Sequence, residues 1–313
     1  MQLLMPSFGI NHESGTLKRV MVHHPGKELE LANADPVAHH FDMPVDVKRF
    51  ISDHKELVDA LGEAGVEVLQ VRDLLADNKE MLEQSYKAPN LVFVRDSSTM
   101  TNDGAFLFRM GLPSRRVETP VIRAAHEANG VPIALKMEEP ETFEGGGFAL
   151  LEGKTAVAGL CDRSTQGALD QMGDYLLSKG HADLWVQLNM PEGIVHIDGE
   201  FCELPGKVAL THPEVMNDVQ TIFRTKDEKW EGSFVEWLKE DGWDILEITD
   251  QECFDMAANF VTIDKDLAFH YTGNPRVIQE CKDRGIDVVQ IPGEEMRKGM
   301  GGIHCMTCPV LRV

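Results

Sequence analysis

The sequence predicts an α/β fold built from five ββαβ units arranged so that the two chain ends meet. Three observations carry this. A helix-like stretch that ends in glycine and runs into an alternating apolar strand occurs five times, around Gly65, Gly130, Gly180, Gly242 and Gly285. Paired apolar runs fill the intervals between these copies. The terminal run Met306 to Val313 is apolar enough to pair with Arg19-Val20-Met21-Val22 near the other end.

Each element has a local reason. Glycine adopts the left-handed conformation that ends a helix at the least steric cost, and a half-buried strand can then start. The five following strands are Val66 to Val71, Val131 to Leu135, Ala182 to Val186, Trp243 to Ile248 and Ile286 to Ile291. The intervening pairs join Leu91–Val94 to Ala105–Phe108, and Phe148–Leu151 to Ala156–Ala158. They also join Ile194–Asp198 to Val208–Leu210, and Asn259–Ile263 to Leu267–Phe269. The glycine spacings are uneven, which describes a divergent repeat rather than a solenoid. A plain parallel α/β sheet would share much of this pattern. Radial closure leaves few open sheet edges.

A length of 313 residues suggests about two domains, although closed repeats run this long as one, and a single domain over residues 1–313 is expected. No apolar window is long enough to span a membrane, and the start lacks a signal-peptide pattern. Six cysteines without regular spacing suit a reduced, cytoplasmic protein. The net charge of −22 argues against nucleic-acid binding. It would draw in a cationic ligand, and equally it would serve solubility. A homo-oligomer is compatible with the sequence.

The first strand of each unit has a polar group at or beside the same place: Asn90 and Asp96, Glu144, His196 and Asp198, Asn259, and Cys305. Rotational relation of the units would bring them into one pocket. Gly299, Gly301 and Gly302 deliver Cys305 at the mouth of the terminal strand, where close approach by another molecule is easy. His196 and Asp198, two apart, would share a strand face. Each also has a structural reading: a strand histidine, a turn aspartate, a turn glutamate at Glu144. Cys305 and Cys308 form C-x-x-C, but no second ligand pair exists for zinc and no thioredoxin-like context surrounds them. No metal and no cofactor is expected. Cys308 reads as a small buried apolar side chain.

The segments Asn90-Leu91-Val92-Phe93-Val94-Arg95-Asp96, Arg115-Arg116-Val117-Glu118-Thr119, Glu144-Gly145-Gly146, Arg163-Ser164, His196-Ile197-Asp198 and Gly301-Gly302-Ile303-His304-Cys305-Met306-Thr307-Cys308-Pro309 together resemble arginine deiminase, in that family's order. The resemblance runs from about Leu17 to the C-terminus. It implies the five-bladed α/β propeller (pentein fold) of the guanidino-modifying superfamily. It implies Cys305 as nucleophile, His196 as general acid/base, Glu144 as its orienting acid, and Asp96 and Asp198 as the grip on the guanidinium. Asn90, Arg115 and Arg163 would hold a substrate carboxylate, Phe93 would wall the pocket, and Gly299 would join the substrate-binding set. The implied reaction hydrolyses a guanidino C–N bond through a thiouronium, most simply arginine to citrulline and ammonia. Dimethylarginine or other guanidino hydrolysis, arginine dihydrolysis to ornithine, and amidino transfer are the alternatives.

Four departures bear on substrate choice. Only Asp73 to Ala88 stands where arginine deiminases usually carry a large helical insertion. Gly147, Glu200 and Met300 replace an aspartate, an apolar residue and a basic residue of the usual pattern.

Overall fold

The computed structural model describes residues 6–313. Five sheets share one strand order: a first strand antiparallel to a second, which is parallel to a third. A helix connects the second strand of each to its third. In chain order the first strands are Ser98–Thr101, Phe148–Leu151, Phe201–Leu204, Val261–Asp264 and Cys308–Arg312. The last pairs with Leu17–Val22, so one sheet contains both ends of the chain. The sheet begun by Phe148–Leu151 carries two further strands, Gln220–Arg224 and Lys229–Gly232.

The glycine signal is realised five times. Gly65, Gly130, Gly180, Gly242 and Gly285 all have φ between 72° and 83°. In each case the residue after the glycine donates its N–H to the carbonyl five positions back: Val66 to Leu61, Val131 to His126, His181 to Leu176, Trp243 to Leu238 and Ile286 to Cys281. This is the helix-ending hydrogen bond that satisfies a free carbonyl of the last turn.

Burial runs across the sheets. The first strands are almost wholly buried, whereas third strands such as Ile133–Lys136 and Asp287–Ile291 are largely half-buried or exposed. Of the segments that precede the first strands, Leu91–Val94 is buried and Ile194–His196 is half-buried. Two were expected as strands and are not. Leu91–Val94 lies in two successive 3-10 turns, Pro89–Val92 and Val94–Ser97, and the strand that pairs with Gly104–Leu107 is Ser98–Thr101. Ile194–Asp198 leads into the turn Ile197–Gly199, and the paired strand is Phe201–Leu204. A run buried on all sides, as Leu91 to Val94 is, has no periodicity to separate strand from turn. Pro89 at the first helical position favours the turn.

Candidate active site

A cavity of about 470 Å³ opens where these turns converge. Cys305 lines it, with Asp198 Oδ2 3.3 Å from its Sγ. Asn259 donates its Nδ2–H to the same sulfur at 3.3 Å and accepts the His304 backbone N–H at 2.9 Å. The loop that holds the thiol is thus fixed from the neighbouring unit. Gly302 makes this possible, since a Cβ there would stand 1.9 Å from Asn259 Oδ1. Arg95 braces the other side, donating Nε–H to the carbonyls of His304 and Thr307 at 3.0 and 3.1 Å.

His196 also lines the cavity, and its Nε2 lies 2.9 Å from Glu144 Oε2. Glu144 stands behind it and accepts the backbone N–H groups of Gly111 and Leu112 at 2.9 and 3.3 Å. Gly146 packs against the imidazole, where a Cβ would fall 2.6 Å from His196 Nδ1. Asp96 Oδ1 is 3.8 Å from His196 Nδ1, and Asp96 Oδ2 accepts from Arg115 Nη1 at 2.7 Å.

Charge sorts these groups. Burial opposes ionisation of His196, but Asp96, the Glu144 hydrogen bond and Asp198 outweigh it and raise its pKa to about 9. The imidazole is therefore protonated at neutral pH. Burial also opposes ionisation of Glu144, yet the His196 hydrogen bond and the Arg115, His196 and Arg163 charges hold it below the usual carboxylate range. Asp198 is likewise held low against burial, first by its hydrogen bond from His304. Burial, then the Asp198 and Asp96 charges, pushes the Cys305 thiol well above its ordinary range. The resting site is a neutral thiol beside two acids and an imidazolium. A cation lodged between the acids would favour the thiolate.

The family model for arginine deiminase matches residues 86–312. The chain belongs to the arginine deiminase family. It is an amidinohydrolase. It is similar, at 25% identity over 96% of this chain and 94% of the relative, to the uncharacterized protein YkgA of Bacillus subtilis (strain 168). An arginine deiminase of Mycoplasma capricolum subsp. capricolum is 24% identical, covering 96% of each chain over an alignment of 387 positions. An alignment that long over a 313-residue chain means the deiminase has segments missing here. Residues 73–88 hold only the end of one short helix and the helix Lys79–Ser85. Among solved structures, DDAH from Pseudomonas aeruginosa complexed with citrulline has a TM-score of 0.70 at 21% identity, covering 94% of this chain and 99% of that one. The N-terminal domain of ArgZ, an arginine dihydrolase from cyanobacteria bound to substrate, has a TM-score of 0.71 at 19% identity, covering 94% and 97%. These similarities share the α/β fold.

Nine of the ten residues singled out from sequence line the cavity, and Glu144 supports His196 from behind. Three of the expectations drawn from the sequence are met differently. His196 and Asp198 do not share a strand face; a 3-10 turn aims them. Arg115 is 4% exposed, with Nη1 on Asp96 and Nε and Nη2 on Glu118 at 3.0 and 2.9 Å. Its guanidinium is committed to acids, so it positions Asp96 rather than waiting for a substrate carboxylate. Asn90 donates Nδ2–H to the His39 carbonyl at 2.8 Å, which leaves its buried Oδ1, an acceptor, without a partner. That atom suits an N–H donor, not a carboxylate. Arg163 bonds Glu144 through Nη1 at 3.3 Å and retains the rest of its fork. Phe93 packs beside Gly299 and Gly301, whose added Cβ atoms would lie 2.8 and 2.5 Å from its ring.

Residue types alone did not reveal Asn259 as a partner of the thiol, nor His304, whose Nδ1 lies 3.0 Å from Asp198 Oδ2, nor Glu118 beneath Arg115. Asn259 did carry one signal, since it holds the polar position that the repeat gives to each unit.

Proposed function

We propose that this enzyme hydrolyses the guanidino group of L-arginine to L-citrulline and ammonia through a covalent intermediate on Cys305. The observation that carries the reading is the thiol 3.3 Å from Asp198, in a cavity shared with Asp96 and the protonated His196. Asp96 and Asp198 grip a planar guanidinium by charge-assisted hydrogen bonds. Its positive charge offsets the two acids that hold the thiol neutral, and Cys305 ionises as substrate enters, losing its proton to solvent. The thiolate attacks the central carbon. His196 gives its proton to one amino nitrogen, the C–N bond breaks, and ammonia leaves a thiouronium. Neutral His196 then takes a proton from water. The hydroxide adds to the same carbon, the C–S bond breaks, and the hydroxyl proton of the adduct passes to the departing sulfur, which frees the ureido product and restores the neutral Cys305 thiol.

Arg163 takes the substrate carboxylate and Asn90 Oδ1 accepts from an N–H group of the substrate. The five sheets act as blades of one propeller, a single catalytic domain over residues 1–313, with the cavity at its axis. All six cysteines are free, which supports residence in the reducing cytoplasm.

One observation favours a second substrate. The chain aligns with 99% of a DDAH chain and lacks segments of the deiminase, so an N-methylated arginine is the rival. The test offers arginine, methylated arginines, agmatine and guanidinoacetate separately and resolves products by mass spectrometry. Citrulline and one ammonia from arginine, lost in Cys305→Ala, is the expected result. Ornithine would reassign the enzyme as a dihydrolase, and turnover of only a methylated arginine would transfer the reading to that substrate. Full turnover by Cys305→Ala would reject the covalent route.

A further inference from the structure

Outside the catalytic set, three side chains of metal-ligating type meet at the cavity wall. Glu200 follows the turn Ile197–Gly199, His212 follows the strand Val208–Thr211, and Cys253 lies in the helix Asp250–Phe254. Glu200 and Cys253 line the cavity. One ligand atom from each of the three lies within 4.8 Å of the other two.

The distances fit one ion. Tetrahedral zinc, with bonds of ~2.0 Å to nitrogen and oxygen and ~2.3 Å to sulfur, has an oxygen–sulfur edge of about 3.5 Å and a nitrogen–oxygen edge of about 3.3 Å. Glu200 Oε2 and Cys253 Sγ are already 3.6 Å apart. His212 Nδ1 and Glu200 Oε2 are 2.6 Å apart, a hydrogen bond that widens once the shared proton is replaced by a metal. The other imidazole nitrogen, Nε2, lies 3.0 Å from Asp250 Oδ1. A carboxylate there is what orients metal-bound histidines. A donor set of thiolate, imidazole and carboxylate favours zinc-like ions over magnesium or calcium.

We propose that Glu200, His212 and Cys253 form a regulatory site for a zinc-class divalent ion, with water as the fourth ligand and Asp250 holding His212. Binding releases the Cys253 thiol proton and the proton between His212 and Glu200. The ion fixes Glu200, two residues from Asp198, and fills part of the cavity, so it slows turnover. That regulatory half rests on the hydrolase reading; the binding half does not.

The test titrates metal-free, reduced full-length protein with Co²⁺ and follows the thiolate-to-cobalt charge-transfer band. One equivalent should bind, and the band should persist in Cys305→Ser and vanish in Cys253→Ser. Asp250→Asn changes an exposed partner only, and should weaken affinity by about 10–100-fold. No band in the parent protein, or a band that survives Cys253→Ser and disappears in Cys305→Ser, would overturn the site. In turnover assays the half-inhibiting Zn²⁺ concentration should rise at least tenfold in Asp250→Asn; an unchanged value would overturn the regulatory role. Silence toward every guanidino compound would defeat the hydrolase reading and the regulatory role built on it, while the cobalt spectrum still decides the site.

Discussion

In the proposed mechanism His196 sets the alkaline limit of the reaction. Its proton is retained up to a pKa of about 9 because Asp96, Glu144 and Asp198 surround it. The folded value exceeds the unfolded one, near ~6.5, so the resulting stability is complete below that value and is lost as pH rises through about 9. The proton needed for the leaving amine disappears over the same upper range, so kcat/KM of the free enzyme should fall there. Glu144→Gln removes one of the anions, and a pH–rate profile should show the alkaline limb moved toward neutrality, with kcat lowered by roughly 10²–10⁴. An unmoved limb would mean that Glu144 does not set this proton. Gly146→Ala tests the geometry behind the same group, since its methyl would stand 2.6 Å from His196 Nδ1. Turnover should collapse at unchanged secondary structure, read by circular dichroism. At this scale the sequence was informative about identity and poor about partners. A cysteine behind glycines and a His-x-Asp pair announce themselves by type. The commitment of Arg115 to Glu118, or of Asn259 to a sulfur 46 residues away, exists only after folding.

The recurring element is a helix that ends at a left-handed glycine, and the elements that differ are the turns ahead of the first strands. Gly65 isolates the first feature: φ is +80° and nothing lies within 4 Å of where an alanine methyl would stand. Gly65→Ala therefore introduces conformational strain without a clash, and urea unfolding should show a loss of about 1–2 kcal/mol. Arg115 isolates the second. It ties the turn Val94–Ser97 to the start of the helix Glu118–Ala128, buried between Asp96 and Glu118. Arg115→Ala leaves buried Glu118 without its cation and Asp96 with His196 alone, and should cost about 3–5 kcal/mol in the same measurement. The helix-and-strand half of each unit was legible because glycine and alternation are local signals. The turns were not, because the burial of Leu91–Val94 erases alternation and 3-10 turns of three or four residues are too short to print a period.

Over the whole molecule the net charge of −22 surrounds a site built for a cation. Substrate capture should be assisted electrostatically, so kcat/KM for arginine should fall with ionic strength while kcat changes little; stopped-flow or steady-state assays across a salt series would check it. The repeat number and the meeting of the ends were readable in advance, since each rests on apolar runs that need partners. The extra strand pair Gln220–Arg224 and Lys229–Gly232 was not: its outer strand is exposed throughout and carries no core pattern. The pairing of Leu17 with Arg312 has a kinetic meaning. The strand following Cys305 is secured by pairing with a strand from near the other end of the chain, and contacts of such large sequence separation are the slowest to form. A half-folded chain owns every side chain of the candidate site and still does not have Cys305 in place. Regain of turnover after dilution from denaturant should therefore trail the regain of helix signal, making activity a clock for the pairing of the two terminal strands.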